Sequence, residues 1–248
     1  DLVFTSPPYA ERRKKVYGGV PENKYSEWFA PIAIEIKRIL KPSGSFFLNI
    51  KPHTTDGERS LYVFDLVLAL KRKIGFLFVD EFCWTKNPFP GTYKGRFKNA
   101  FEPVYHFSKG HPRQIRFNAL ACGTPMKEES IKRAYRKQCG APKNNSGMTG
   151  MNTTNIRYLK LARPSNVVNV NNVSNQFMNK QYHPATFPEG LTDFFIKSFS
   201  YKKDVVLDPF IGSGTTAISA KKLDRSYIGF EIKKEYCELA NRRLLEVE

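Results

Sequence analysis

Ser6-Pro7-Pro8-Tyr9 sets a hydroxyl, two rigid residues and an aromatic ring in four consecutive positions. The apolar run Leu2-Val3-Phe4 precedes it, the pattern of a buried strand in a parallel sheet. The two prolines remove two backbone donors and fix φ. The strand therefore delivers these groups to the carboxyl edge of a sheet, where ligands sit in open α/β folds. Four such residues can also form a plain strand-ending turn.

A second strand-to-loop transition lies near the other end of the chain. Val205-Val206-Leu207-Asp208 runs into Pro209-Phe210-Ile211-Gly212-Ser213-Gly214-Thr215-Thr216. Glycines there let a ligand approach the backbone, and the helix that follows offers N–H donors to an anionic group. Asp208 ends the first strand, and Glu231, 23 residues on, ends the next, where a ribose diol would be held. The pattern suits a nucleoside-type cofactor. A nicotinamide dinucleotide fits the spacing too, although GxG stands where GxGxxG is expected. No lysine follows the glycines as in a P-loop.

The elements that would position these loops alternate. Helices are expected at about Ser26–Leu40, Leu61–Lys73 (capped by Ser60 and stopped by Gly75), Glu189–Phe199, Thr215–Leu223 and Lys234–Leu245. The apolar faces of the first two are Trp28, Phe29, Ile32, Ile36, Ile39 and Leu40, and Leu61, Phe64, Val67 and Leu68. Strands are expected at Ser45–Ile50, Phe76–Trp84, Pro103–Phe107 (antiparallel to the one before), Val205–Asp208 and Tyr227–Glu231. Such alternation argues for an α/β sheet.

Net charge is +17 and the pI about 9.7, which points to a polyanionic partner. Between Lys86 and Lys180 there are 17 Lys and Arg against three Glu, a balance of +14, so most of the charge lies in the middle third. That third is rich in Asn, has weak periodicity, and carries one expected helix at about Lys127–Gln138. It reads as a nucleic-acid recognition region, Arg and Lys for phosphates and Asn, Gln and Arg for base edges, or as a disordered insertion. Arg133, Arg136 and Lys137 on that helix are candidate DNA contacts. So are Arg12, Arg13, Lys14 and Lys15, which follow the first turn and precede a Gly18-Gly19 pair able to hinge. No apolar run approaches the roughly 20 residues that span a bilayer, and no secretory leader is seen. Cys83, Cys122, Cys139 and Cys237 are scattered with no CxxC pair, as free thiols of an intracellular protein would be, and no metal site is expected.

TSPPY first, DPFIGSGTT last and HPATFP (His183–Pro188) just before it together resemble the β group of DNA amino-methyltransferases, and within it the type that methylates cytosine N4. The resemblance covers nearly the whole chain outside the basic middle. It implies a twisted, mostly parallel seven-stranded Rossmann-like sheet with helices on both faces, plus a basic insertion for target recognition. Residues 1–110 would be the catalytic half, 111–180 the recognition region and 181–248 the cofactor half of the same domain. S-adenosylmethionine is the implied cofactor. Asp208, Pro209, Phe210, Gly212, Ser213, Gly214 and Thr215 resemble the loop around its methionine and ribose parts. Glu231 matches the acid on the ribose hydroxyls, and His183, Pro184 and Phe187 match the loop near the methionine end. Ser6, Pro7, Pro8 and Tyr9 match the catalytic tetrapeptide. The family also has a short adenine-holding stretch before the first strand, and this chain begins at that strand.

Chemistry agrees with the resemblance. An exocyclic amine is a poor nucleophile because its lone pair is delocalised into the ring. The Ser6 hydroxyl and the Pro7 carbonyl can accept its two N–H bonds and free that lone pair, while Tyr9 stacks on a base taken out of the duplex. A C5 methylase needs a cysteine nucleophile, usually after proline, and no cysteine here follows proline. Within the family SPPY goes with cytosine N4 and DPPY mostly with adenine N6. The readings carried forward are a site-specific cytosine-N4 methylase of a restriction–modification system, an adenine-N6 enzyme, an enzyme acting on an RNA amine, and an inactive nucleic-acid-binding protein on the same scaffold. The expected partners are double-stranded DNA and, without a stable complex, a cognate restriction endonuclease. A monomer or homodimer in the cytoplasm of a bacterial or archaeal cell completes the expectation.

Overall fold

The computed structural model describes residues 1–11, 18–87, 94–132, 161–170 and 187–247. The chain forms two compact units, Asp1–Asn118 with Asn166–Glu248, and Ala119–Ser165.

The first unit is built on a seven-stranded sheet. Its strands are β1 (Leu2–Thr5), β2 (Ser45–Asn49), β5 (Leu77–Thr85), β6 (Phe101–Ser108), β9 (Val167–Asn169), β10 (Val205–Asp208) and β11 (Ser226–Gly229), in the order β11-β10-β1-β2-β6-β5-β9. A small hairpin, β3 (Thr54–Thr55) and β4 (Glu58–Arg59), stands outside the sheet. All neighbours pair parallel except around β6, which runs antiparallel to β2 and β5. β1 lies in the middle, with Val3 level with Leu207 of β10 and with Phe46 of β2. Its chain crosses through helix α1 (Tyr25–Ile39) to β2 on one side. The chain leaving β10 crosses through helix α4 (Thr215–Lys222) to β11 on the other side. The connections diverge at the β1/β10 boundary, so a crevice opens outside the carboxyl ends of these two strands.

Alternation along the strands fills two core layers. Val3, Phe46, Leu48, Phe107 and Leu207 pack against α1 through Tyr25, Phe29, Ala33 and Ile36, and against α2 (Tyr62–Ala69) through Tyr62, Val63 and Leu66. Leu2, Phe4, Phe47, Phe82, Val104 and Val206 pack on the other face against Leu191, Phe195, Ile196 and Phe199 of α3 (Glu189–Phe199) and Ala220 of α4. His106 is buried in this second layer, stacked on Phe47 at 4.3 Å and paired with Ser45 Oγ at 3.0 Å. Burial lowers its pKa to about 3, so it stays neutral.

Several expected elements differ in detail. Helix α2 buries Tyr62, Val63, Leu66 and, just beyond it, Leu70, whereas the expected stripe of Leu61, Phe64 and Leu68 is exposed. The segment is apolar nearly all round, so periodicity alone does not choose a face. The choice is made by Tyr62, whose hydroxyl donates to Lys51 O at 2.9 Å and whose ring meets Tyr25 edge-on at 4.8 Å. Leu61, not Ser60, takes the cap position, and Ser60 Oγ is buried with no hydrogen-bond partner among the described residues. The helix ends through a π turn over Leu70–Ile74 at Gly75, whose φ of +80° suits glycine. Pro31 sits seven residues into α1, deeper than the first turn, on an exposed position.

In the second unit β7 (Thr124–Pro125) pairs antiparallel with β8 (Leu161–Ala162). Residues 128–132 are helical, the start of the helix expected from Lys127. Among the described residues, no helix is long and apolar enough to cross a membrane.

Candidate active site at the carboxyl edge of the sheet

Both loops singled out by their residues leave neighbouring strand ends. β1 ends at Thr5, which is fully buried, and its hydroxyl donates to Asp208 Oδ1 at 2.7 Å. Ser6 follows, partly exposed, and Pro7 is buried. Tyr25 of α1 donates its hydroxyl to Pro8 O at 2.7 Å and so fastens the turn to the helix. The four residues are therefore held on three sides: by the strand, by α1 and by the partners of Tyr9.

Those partners form a cluster that composition hides. The Tyr9 phenol donates to Glu102 Oε2 at 3.0 Å, and Lys51 and Lys86 both donate to Glu102 Oε1. Lys86 also lies over the Trp84 ring, 4.9 Å from its centroid. Burial alone would raise the Glu102 carboxyl, but the two ammonium groups outweigh it and hold the group below the usual carboxylate range. Burial, then the Glu102 charge, push the Tyr9 phenol well above its ordinary value. The sequence signal for this cluster is one of only three acids in a long basic stretch, set inside the apolar strand FEPVYHF.

On the β10 side Asp208 turns inward. Its carboxylate is 1% exposed and accepts from Thr5 Oγ1, from Phe210 N at 3.0 Å and from Thr216 Oγ1 at 2.7 Å. It ties β1, the glycine loop and α4 together. Phe210 rests on Trp28 and Phe29 of α1 at 5.8 and 6.3 Å. Gly212 and Gly214 have φ of +50° and +87°. A Cβ on Gly214 would stand 2.9 Å from that of Ala240 in helix α5 (Lys234–Leu245). Ser213 and Thr215 are buried, and Arg243 of α5 donates to Ser213 O at 2.6 Å and reaches both hydroxyls. Arg243 is thus a clamp on the loop that no motif announced. Glu231 lies just past β11, half-buried, one carboxylate oxygen accepting from Lys233 N at 2.9 Å. Phe187 meets Phe4 edge-on at 5.3 Å. His183 and Pro184 lie outside the described residues, as do Arg12, Arg13, Lys14, Lys15, Arg133, Arg136 and Lys137.

Burial pushes the Asp208 carboxyl up to about 6 against its three donors, and the Glu231 charge adds to the rise. The folded value lies above the ordinary 3.8, so the native state binds the extra proton. Stability from this group is present below about pH 4 and is lost as pH rises towards 6, in all about 3 kcal/mol. Asp208→Asn keeps the shape: Oδ1 can accept from Thr5 and Phe210 N, and the amide can donate to Thr216 Oγ1. The stability of Asp208→Asn relative to the parent, from urea unfolding, is expected to rise by about that amount between pH 4 and 7. A difference that stays flat with pH would show that the carboxylate is not buried as a charge.

The loop fits a nucleoside cofactor: Gly212, at φ +50°, leaves no side chain in the way, Gly214 lets the loop close on Ala240, and an acid stands just past the next strand. Residues 1–242 match the DNA methylase profile of the N6 and N4 amino-methylases. The orphan methyltransferase M.BamHII of Bacillus amyloliquefaciens is 35% identical over 98% of this chain and 88% of its own length. The type II methyltransferase M.PvuII of Proteus hauseri is 30% identical over 99% and 78%. The solved structure of the cytosine-N4-specific PvuII DNA methyltransferase superposes with a TM-score of 0.70 at 26% identity, covering all of this chain and 86% of that one. The fold is also that of M1.HpyAVI, solved as a complex with S-adenosylmethionine, at a TM-score of 0.58, 23% identity and coverage of 98% and 88%. The chain belongs to the N6/N4 family of DNA methylases.

Proposed function

We propose that the protein methylates the N4 amine of a cytosine in double-stranded DNA, as the modification half of a restriction system. The observation that carries this reading is the meeting of the SPPY turn and the glycine loop at the adjacent ends of β1 and β10, joined by the 2.7 Å bond between Thr5 and Asp208. The cofactor, when bound, supplies a methyl group on a sulfonium that leaves as a neutral thioether. Gly212 would admit it to the backbone, Gly214 would let the loop close against Ala240 so that its backbone faces the cofactor, and Glu231 would hold its ribose. Asp208, Ser213 and Thr215 would act by fixing the loop, with Pro209 and Phe210 shaping it and His183, Pro184 and Phe187 closing the methionine end. Ser6 Oγ and Pro7 O would accept the two N–H bonds of the target amine, so that the nitrogen lone pair faces the methyl group. The nitrogen so held would take the methyl group as that group's bond to sulfur breaks, and the amine's surplus proton would leave to water. Pro8 keeps the turn rigid, and the Tyr9 ring would stack on the base once it has left the duplex. Residues 111–180, which include the compact unit Ala119–Ser165, would read the target.

Mass analysis of nucleosides from DNA treated with the protein and S-adenosylmethionine tests this directly. N4-methylcytosine is the expected product. N6-methyladenine would move the protein to the other branch of its family, and no methylated nucleoside with DNA still bound would leave only a binding protein.

DNA affinity is expected to fall steeply with salt, because the middle third carries +14. Each phosphate contact releases counterions, and log K falls by about 0.9 per contact per decade of salt. Titration across several salt concentrations reads the slope. A slope near zero would mean that the charge is no DNA footprint.

A further inference from the structure

Among the large apolar side chains of the described residues, Phe97 is the most exposed, at 97%. One apolar side chain in water is ordinary by itself. The neighbours of Phe97 and its place in the fold set it apart. It stands in Lys94-Gly95-Arg96-Phe97-Lys98, every residue of which is exposed, and no acid lies between Thr85 and Glu102. Three cations around the ring disfavour burial against an apolar protein surface and favour a polyanion. A ring set among cations suits nucleic acid, the charges meeting phosphates and the ring meeting a base face.

Phe97 is carried at the edge of the sheet that holds the SPPY turn. Thr5 of β1 is level with Leu48 of β2, and Asn49 of β2 with Val104 of β6, so β6 begins where β1 and β2 end. β5 ends at the same edge, with Thr85 opposite Phe101. Past these strand ends Lys86 N donates to Ala100 O at 2.8 Å, and Asn99 Nδ2 donates to Phe101 O at 3.0 Å. These bonds brace the foot of the loop. Glu102, which follows, accepts the Tyr9 hydroxyl at 3.0 Å. Phe97 is thus tied to the Tyr9 site by a chain reach of at most about 18 Å. Taking a base out of a duplex breaks a pair and leaves a gap in the stack. An apolar side chain placed between base steps fills such a gap.

We propose that Phe97 is a DNA-inserting side chain: as Tyr9 receives the target base, the Phe97 ring enters the stack that the base has left, with Lys94 and Lys98 on the flanking phosphates. The proposal rests on the base-flipping reading above and adds the group that holds the duplex open. Phe97 touches no reacting atom and is a positioning residue.

The test uses the full chain, S-adenosylmethionine and duplex DNA. Phe97→Ala is expected to keep the parent melting temperature, since the ring is almost wholly in solvent. Its single-turnover methylation at saturating DNA is expected to fall roughly tenfold to a hundredfold, the scale of one lost base stack. Phe97→Trp should recover most of that loss. On a duplex with a mispair at the mapped target cytosine, opening costs less, and the deficit of Phe97→Ala is expected to shrink to under about threefold. Phe97→Ala at the parent rate, or an equal deficit on paired and mispaired DNA, overturns the proposal. Lys98→Ala is expected to lower the salt slope of DNA binding by about one, and an unchanged slope removes Lys98 from the phosphates. If the parent methylates no DNA at all, the proposed reaction fails and the insertion is read instead by fluorescence. Duplex DNA is then expected to quench the added indole of Phe97→Trp and to shield it from acrylamide. An added indole still open to acrylamide in the presence of DNA overturns the insertion.

Discussion

Ser6→Ala is expected to slow single-turnover methyl transfer by about a hundredfold to a thousandfold, with cofactor and duplex affinities and the melting temperature left near parent values. The rate loss is that of one hydrogen bond made only as charge develops, roughly 2.7–4 kcal/mol. The structural side of the prediction rests on where Ser6 stands. The buried link between strands is made by Thr5, its neighbour, and the turn is pinned by Tyr25 to Pro8 O. Ser6 itself is partly exposed and lies in neither of those links. A plain strand-ending turn predicts the opposite, a variant that methylates at the parent rate. Tyr9→Ala should differ from both, weakening capture of the base by about 1–3 kcal/mol and also unseating Glu102. Rates and melting curves on the same variants decide.

Gly212→Leu is expected to weaken S-adenosylmethionine binding by about a hundredfold or more, near 3 kcal/mol, in calorimetric titration. The residue has φ of +50°, which costs a side-chain-bearing residue roughly 1–2 kcal/mol. The loop must give way, and it is already fixed from behind by Arg243 and by Ala240 against Gly214. Asp208→Ala is a different experiment. From the sequence it is expected to lose the cofactor with the fold kept. In the structure it strands two hydroxyls and the Phe210 N–H in a buried place, each costing about 1–3 kcal/mol. Its melting temperature should fall together with its affinity. Unchanged affinity in Gly212→Leu would remove the cofactor from this loop.

Where local chemistry is unambiguous, the elements were legible from residues alone. Helix Glu189–Phe199, strand Val205–Asp208 and helix Lys234–Leu245 stand at the expected bounds. Each has a single apolar stripe or run between clear breaks. Helix α2 has two such stripes, and only a tyrosine hydroxyl and a ring contact select the inner one. Strand β9 was missed because Val167-Val168-Asn169 is three residues long and owes its place to pairing with β5. The hairpin at Thr54–Arg59 has a local signal in Asp56-Gly57, which take φ of +49° and +87°. At the site, the two loops could be read because glycine and proline fix backbone. The Glu102 cluster could not, because Tyr9, Lys51, Lys86 and Glu102 meet only once four strand ends are side by side.

The pairing of β1 with β10 also sets a schedule for biosynthesis. Thr5 and Asp208 are 203 residues apart in sequence. At roughly 5–20 residues per second, β1 waits about 10–40 s on the ribosome for the strand that completes the middle of the sheet. β2 can shield one edge of β1 early, but the other edge, lined by Leu2, Val3 and Phe4, stays open until the last quarter of the chain emerges. Folding is thereby bound to long-range closure and is slow for its size. During that wait the nascent chain offers an apolar strand edge to any other strand nearby.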